Sequence, residues 1–113
     1  KWFAFALAHT YYPELLRAGV KIYEYTHGFV HAKTTVSDDR RAVVGTVNYD
    51  YRSLYLHYEC AVYMYGGSVV KDIEDDFEKT VELSKLYTLE DYYSSSVFMR
   101  FFGGVLRALA TLM

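Results

Sequence analysis

Cysteine and proline each occur once in this chain of 113 residues, at Cys60 and Pro13. One cysteine excludes an internal disulfide, so the fold does not depend on an oxidising compartment. Set beside an apolar run, Cys60 is expected to be a buried thiol. No uninterrupted apolar stretch is long enough to cross a bilayer, and no signal-peptide pattern is present. The first residue is Lys1 rather than methionine, and the chain looks cut from something longer. Basic excess is also missing: 12 Lys and Arg stand against 14 Asp and Glu, for a formal net charge of −2. That balance removes bulk nucleic-acid binding, so any anion recognition must be local. There is no internal repeat and no low-complexity segment.

What is abundant is apolar and aromatic side chain, at 52% and 19% of residues, enough for one folded domain with a modest core. Residues 2–18 suit a helix with Gly19 as its stop, and Pro13 either kinks it or opens a second helix. Val20 to Tyr25 reads as a short strand, broken by Thr26, His27 and Gly28. From Phe29 to Ser37 the alternation is strict: Val30, Ala32, Thr34 and Val36 point one way, His31, Lys33, Thr35 and Ser37 the other. This predicts a strand whose apolar set faces a core. An imidazole and an ammonium side by side on its other face are costly unless an anion sits nearby, and phosphate is the anion that suits them.

Asp38, Asp39 and Arg40 form a polar turn, and Arg41 to Thr46 is a β-branched strand that pairs back as a hairpin. Val47 to Tyr55 is a loop or a short helical turn, and Leu56 to Tyr65 returns to a strand pattern ending at Gly66 and Gly67. Ser68 is the expected N-cap of a long helix with Val70, Ile73, Phe77 and Val81 on one stripe. Its carboxylates, Asp72, Glu74, Asp75, Glu78 and Glu82, read as a solvated face rather than a metal cluster. Thr88 and Asp91 have the spacing of a capping box. The tail, 97–113, carries an amphipathic stripe of Phe98, Phe101, Phe102, Val105, Leu109 and Leu112 with Arg100 and Arg107 off it. It either packs on the protein's own sheet, the favoured alternative, or lies in a membrane interface.

His31, Lys33 and Asp38 fit the HxKxxxxD signature of the phospholipase D superfamily. Gly45, Thr46 and Asn48 fit the pattern that follows it, and Glu59 lies 28 residues after the histidine. The wording from Tyr11 to Tyr65 resembles the bacterial cardiolipin synthases. His57, where those enzymes often carry asparagine, and the charged turn Asp39, Arg40, Arg41 are departures that leave every catalytic group in place.

The resemblance implies an α/β fold: a partial phospholipase D-like half-domain with a mixed sheet flanked by helices, residues 1–113 forming the C-terminal part of the second such domain. It implies two motifs facing each other, of which this chain holds one. In that scheme one histidine becomes a phosphohistidine, and His31 is assigned as the general acid and base. Lys33, Thr46 and Asn48 bind phosphate, Glu59 orients the histidine, and Asp38 completes the motif, holding the turn or pairing with Arg40 or Arg52. No metal and no cofactor are implied.

The bottom-up chemistry runs the same way. Cleaving a phosphodiester needs a nucleophile, a proton donor for the leaving alkoxide and fixed donors around the phosphoryl oxygens. His31 alone could serve as nucleophile or as acid and base. His9, His27 and His57 belong to no such motif and read as surface or packing residues.

The expected activity is phosphatidyl transfer from phosphatidylglycerol, making cardiolipin at the bacterial cytoplasmic membrane. Its expected partners are the phospholipid, a membrane surface, and the first motif-bearing half or a second copy. A hydrolase of the same superfamily and a non-catalytic interaction module are the alternatives.

Overall fold

A computed structural model describes residues 2–94 and 97–109. The segments on either side of Tyr25–Lys85 form one compact unit, and Tyr25–Lys85 forms another. The class is α/β as expected, with the strands divided between two small antiparallel sheets.

In the first unit, Trp2–Arg17 is one helix, α1, that runs through Pro13 without ending there. Of the two expectations for Pro13, the single helix is observed. Proline cannot donate to the carbonyl four residues back, but its ring is buried, and that packing offsets the lost bond. Gly19 ends the segment at φ +87. Ile22–Tyr25 (β1) pairs with Ser84–Tyr87 (β5) in a two-stranded sheet.

Leu89–Ser94 (α3) opens on the expected box: the Thr88 N–H donates to Asp91 at 2.9 Å and the Asp91 N–H to Thr88 Oγ1 at 3.2 Å. Val97–Leu109 (α4) packs on α1, a helix where a sheet was expected, and the predicted apolar stripe is not the face it buries, since Phe101 is 73% exposed and Val105 is exposed as well. Gly103 permits the close approach, because a Cβ there would stand 2.7 Å from Thr10 Cγ2. Arg107 completes it, reaching Glu14 at 2.8 Å and lying over the Tyr11 ring at 4.5 Å. Of the tail stripe, Leu112 and the side chains of Phe98 and Leu109 lie outside the described residues.

The second unit is built on an antiparallel sheet of Thr34–Ser37 (β2), Arg41–Gly45 (β3) and Ala61–Tyr65 (β4), in the order β2-β3-β4. The β2-β3 hairpin pairs Thr35 with Val43 and Val36 with Ala42. Its turn is Asp38, Asp39 and Arg40, with Asp38 and Asp39 left-handed at φ 55 and 52 and the Arg40 N–H donating to the Ser37 carbonyl at 3.3 Å. Ser68–Glu82 (α2) packs on β2 and β3, with Val70 and Ala42 each about 1% exposed.

Four local expectations are corrected here. The strand predicted from Phe29 begins only at Thr34. The Gly45 N–H donates to the Lys33 carbonyl as the last rung, and β3 ends at Gly45. Residues 29–32 therefore have no ladder to join, and Phe29 and Val30 are exposed instead of facing a core. Cys60 is exposed, not buried, because it stands just ahead of β4. Ser68 is the first helical residue and not the cap, since the left-handed Gly66–Gly67 pair turns the chain out of β4 and puts Gly67 in the cap position. Phe77 is exposed because α2, about 22 Å long at 1.5 Å per residue, runs past short strands.

Candidate active site

Three neighbouring backbone features assemble the site in the second unit. The first is the end of the β2-β3 ladder, which fixes Lys33 directly across from Gly45. The second is the crossing from β3 to β4, where Thr46 and Cys60 exchange backbone bonds at 3.0 Å and, through the Thr46 hydroxyl, 3.1 Å. The third is a π-helical turn, Arg52–Leu56, closed by the His57 N–H donating to the Arg52 carbonyl at 3.0 Å. Arg52 Nε also donates to His57 Nε2: His57, read as a surface or packing residue, is exposed and pins this turn.

Between them lies an open cleft of about 450 Å³, bordered by Lys33, Thr35, Val43, Gly45, Asn48 and Tyr49 among others. Val43 and Val47 make part of its lining aliphatic, and a 2.9 Å hydrogen bond joins two lining residues, Thr35 through Oγ1 and Tyr49 through its hydroxyl. Lys33 supplies the cation on its lining, and Asn48 an amide. Gly45 must be glycine here: a Cβ would meet the Cys60 carbonyl and come within 2.6 Å of Ala61 Cβ. The small residue after the motif is thus explained by strand crossing.

Beside the cleft, Thr46 Oγ1 donates to Glu59. Ser53 accepts from Asn48 Nδ2 at 3.4 Å, and its hydroxyl acts on the same carboxylate. The Thr46 hydroxyl first, then that of Ser53, hold the Glu59 carboxyl below its ordinary range, so it is an anion at neutral pH.

The sequence-derived residues therefore divide. Lys33 and Asn48 share the cleft, with Thr46 and Glu59 bonded to each other at its side. His31 is exposed ahead of β2, its carbonyl accepting from Lys33 Nζ at 2.8 Å and its ring 6.0 Å from that of Phe29. Among the described residues no hydrogen bond joins its imidazole to Glu59, the partner expected for it, because the backbone carrying it has left the sheet. Asp38 stands at the opposite end of β2, five residues from Lys33 and so roughly 16 Å along an extended strand. It accepts from Ser37 at 3.2 Å and pairs with Arg41 at 3.4 Å: the turn-holding role is observed, with Arg41 as partner in place of Arg40 or Arg52.

Two residues escaped sequence reasoning. Ser53 is five positions after Asn48 and meets it from the π-turn across the preceding loop, a contact that no regular spacing marks. Tyr49 is one of 13 tyrosines, with nothing in the pattern to mark it.

The carboxylates of α2 stay apart. Among the described residues no group of three or more His, Cys, Asp or Glu side chains could hold a metal ion, and no helix is long and apolar enough to cross a membrane.

Residues 4–81, which contain every candidate above, match the family model described as "Cardiolipin synthase, PLD-like domain". The chain belongs to this family. The relatives of this PLD-like chain include an uncharacterized protein of Streptococcus mutans, 50% identical over 109 residues, covering 96% of this chain and 24% of that protein. A cardiolipin synthase of Clostridium perfringens is 38% identical over 107 residues, covering 95% of this chain and 22% of the relative. The major cardiolipin synthase of Bacillus subtilis is 36% identical over 104 residues, covering 92% and 22%. The PLD-like chain thus spans about a quarter of the length of the curated relatives it matches. No solved structure matches it.

Proposed function

We propose that this chain is the C-terminal part of a longer enzyme that transfers phosphatidyl groups between phospholipids, converting phosphatidylglycerol to cardiolipin. The observation that carries the reading is the cleft itself, whose lining includes Lys33 and Asn48 together with aliphatic Val43 and Val47, next to the Thr46–Glu59 pair. A phosphodiester anion needs such donors, and an aliphatic lining suits the lipid part of a substrate.

In this mechanism a histidine from the first motif-bearing half, or from a second copy, attacks phosphorus. The bond to glycerol breaks as a phosphohistidine forms, and His31 gives the departing glycerol oxygen its proton. His31 then takes a proton from the hydroxyl of a second phosphatidylglycerol, whose oxygen displaces the histidine and completes cardiolipin. Lys33 and Asn48 hold the phosphoryl oxygens through both steps, and Thr46 keeps Glu59 in place beside them. Acid and base help of this kind contributes about 10²- to 10⁴-fold in rate. Asp38 acts at a distance, by fixing the hairpin that carries the motif. The enzyme works at the bacterial cytoplasmic membrane, with the lipid surface supplying donor and acceptor.

The full-length protein in phosphatidylglycerol vesicles tests this. Cardiolipin and glycerol in equal amounts support transfer. Phosphatidic acid without cardiolipin makes water the acceptor and the protein a hydrolase. No product from soundly folded protein would favour a non-catalytic module.

A further inference from the structure

We propose that Ser53 is a positioning residue for the phosphodiester site, holding Asn48 and Glu59 in one arrangement through a single hydroxyl. The proposal rests on the reading that Lys33 and Asn48 bind the phosphoryl group. Asn48 is exposed, and the hydrogen bond from its Nδ2 to Ser53 Oγ at 3.4 Å is what restrains its amide. With one amide hydrogen committed to Ser53, the second is free for a phosphoryl oxygen. Ser53 Oγ accepts from Asn48, which leaves its own hydrogen available to Glu59, whose carboxyl it helps to lower and which also takes the Thr46 hydroxyl. The polarity thus runs one way, from amide through hydroxyl to carboxylate, and Glu59 serves as the common acceptor.

The backbone under Ser53 is anchored to make this work. Its N–H donates to Asp50 Oδ1 at 2.7 Å, and the Leu54 N–H donates to the Asp50 carbonyl at 3.1 Å. The π-turn is locked further along by the Arg52–His57 bond. Ser53 is half-buried while Asn48, Tyr49, Asp50, Tyr51 and Arg52 before it are exposed, so the turn presents this one hydroxyl inward. Asn48 lies in the loop ahead of the turn, so its bond to Ser53 ties that loop to the turn.

The test compares Ser53→Ala and Ser53→Thr with Lys33→Ala in the full-length protein, assaying cardiolipin formation in phosphatidylglycerol vesicles over a range of pH. Ser53→Ala removes one bond to each neighbour and is expected to lower kcat about tenfold with KM nearly unchanged. The acid limb of its pH profile moves to higher pH, because Glu59 has lost a donor that favours the charged form. Ser53→Thr keeps the hydroxyl and returns kcat to within about threefold of wild type. Wild-type kcat and an unmoved pH profile in Ser53→Ala, with Lys33→Ala inactive, would overturn the role of Ser53 alone. Failure of Ser53→Thr to rescue would also overturn it, since the hydroxyl would then not be what matters. A fully active Lys33→Ala would remove the phosphate site and this role together.

Discussion

The Thr46 hydroxyl donates to the Glu59 carboxylate, joining residues 13 apart where β3 gives way to the crossing into β4. The threonine is held from the other side by the Cys60 N–H at 3.1 Å, so neither partner can turn away without breaking backbone order. A carboxylate fixed this way stays charged next to a cleft whose lining carries one ammonium.

Thr46→Val keeps the shape and removes the donor. Glu59 then titrates closer to an ordinary carboxyl. A folded-state pKa held below the unfolded one stabilises the protein above the unfolded value and stops doing so as pH falls through the folded value. The wild type is therefore expected to melt above Thr46→Val at pH 7, with the gap closing toward pH 3. Melting curves across that range check it.

Gly45→Ala forces a Cβ against the Cys60 carbonyl and to 2.6 Å from Ala61 Cβ, both on the neighbouring strand segment. Backbone must move, at a cost of about 1–3 kcal/mol. Chemical denaturation should show that loss with an unchanged m-value.

At the β2-β3 turn, Asp39 occupies a left-handed position at φ 52 that glycine adopts freely. Asp39→Gly is expected to stabilise the protein by about 1 kcal/mol. Asp39 also shares a hydrogen bond with Glu74 and raises its carboxyl. A raised pKa stabilises below the unfolded value and is lost as pH rises through the folded one, so the gain from Asp39→Gly should be larger at pH 7 than at pH 4. Denaturant titrations at the two pH values test both statements.

In the first unit, burial, and then the charge of Glu24, push the Tyr12 phenol well above its ordinary range. The group must stay protonated to remain inside. Its contribution holds below the ordinary tyrosine pKa and is lost as pH rises, so stability should fall above about pH 10. Tyr12→Phe should flatten that fall, as read from melting temperature between pH 9 and 12.

The elements legible in the sequence are those set by strong local chemistry. The Thr88–Asp91 box, the Asp38–Asp39 reversal, Gly19 and the helical period of α2 each follow from the residues nearby. What was not legible depends on partners distant in the chain. Alternation continues from Phe29 to Ser37, yet a strand exists only where β3 can pair with it, and β3 ends at Gly45. Cys60 sits beside an apolar run, but burial depends on what covers that run. In the site, motif spacing brought out Lys33, Thr46, Asn48 and Glu59. Ser53 needed the loop that brings Asn48 onto the π-turn, a contact no periodicity of 3.6 or 2 encodes.

The claim at the centre of the account is that His31 moves the proton in phosphatidyl transfer. The most direct measurement compares wild type and His31→Ala full-length protein in phosphatidylglycerol vesicles, with cardiolipin and glycerol quantified together. The account predicts matched production of both by the wild type and a loss of at least about 10²-fold in the variant. Undiminished cardiolipin synthesis by a correctly folded His31→Ala protein would contradict it.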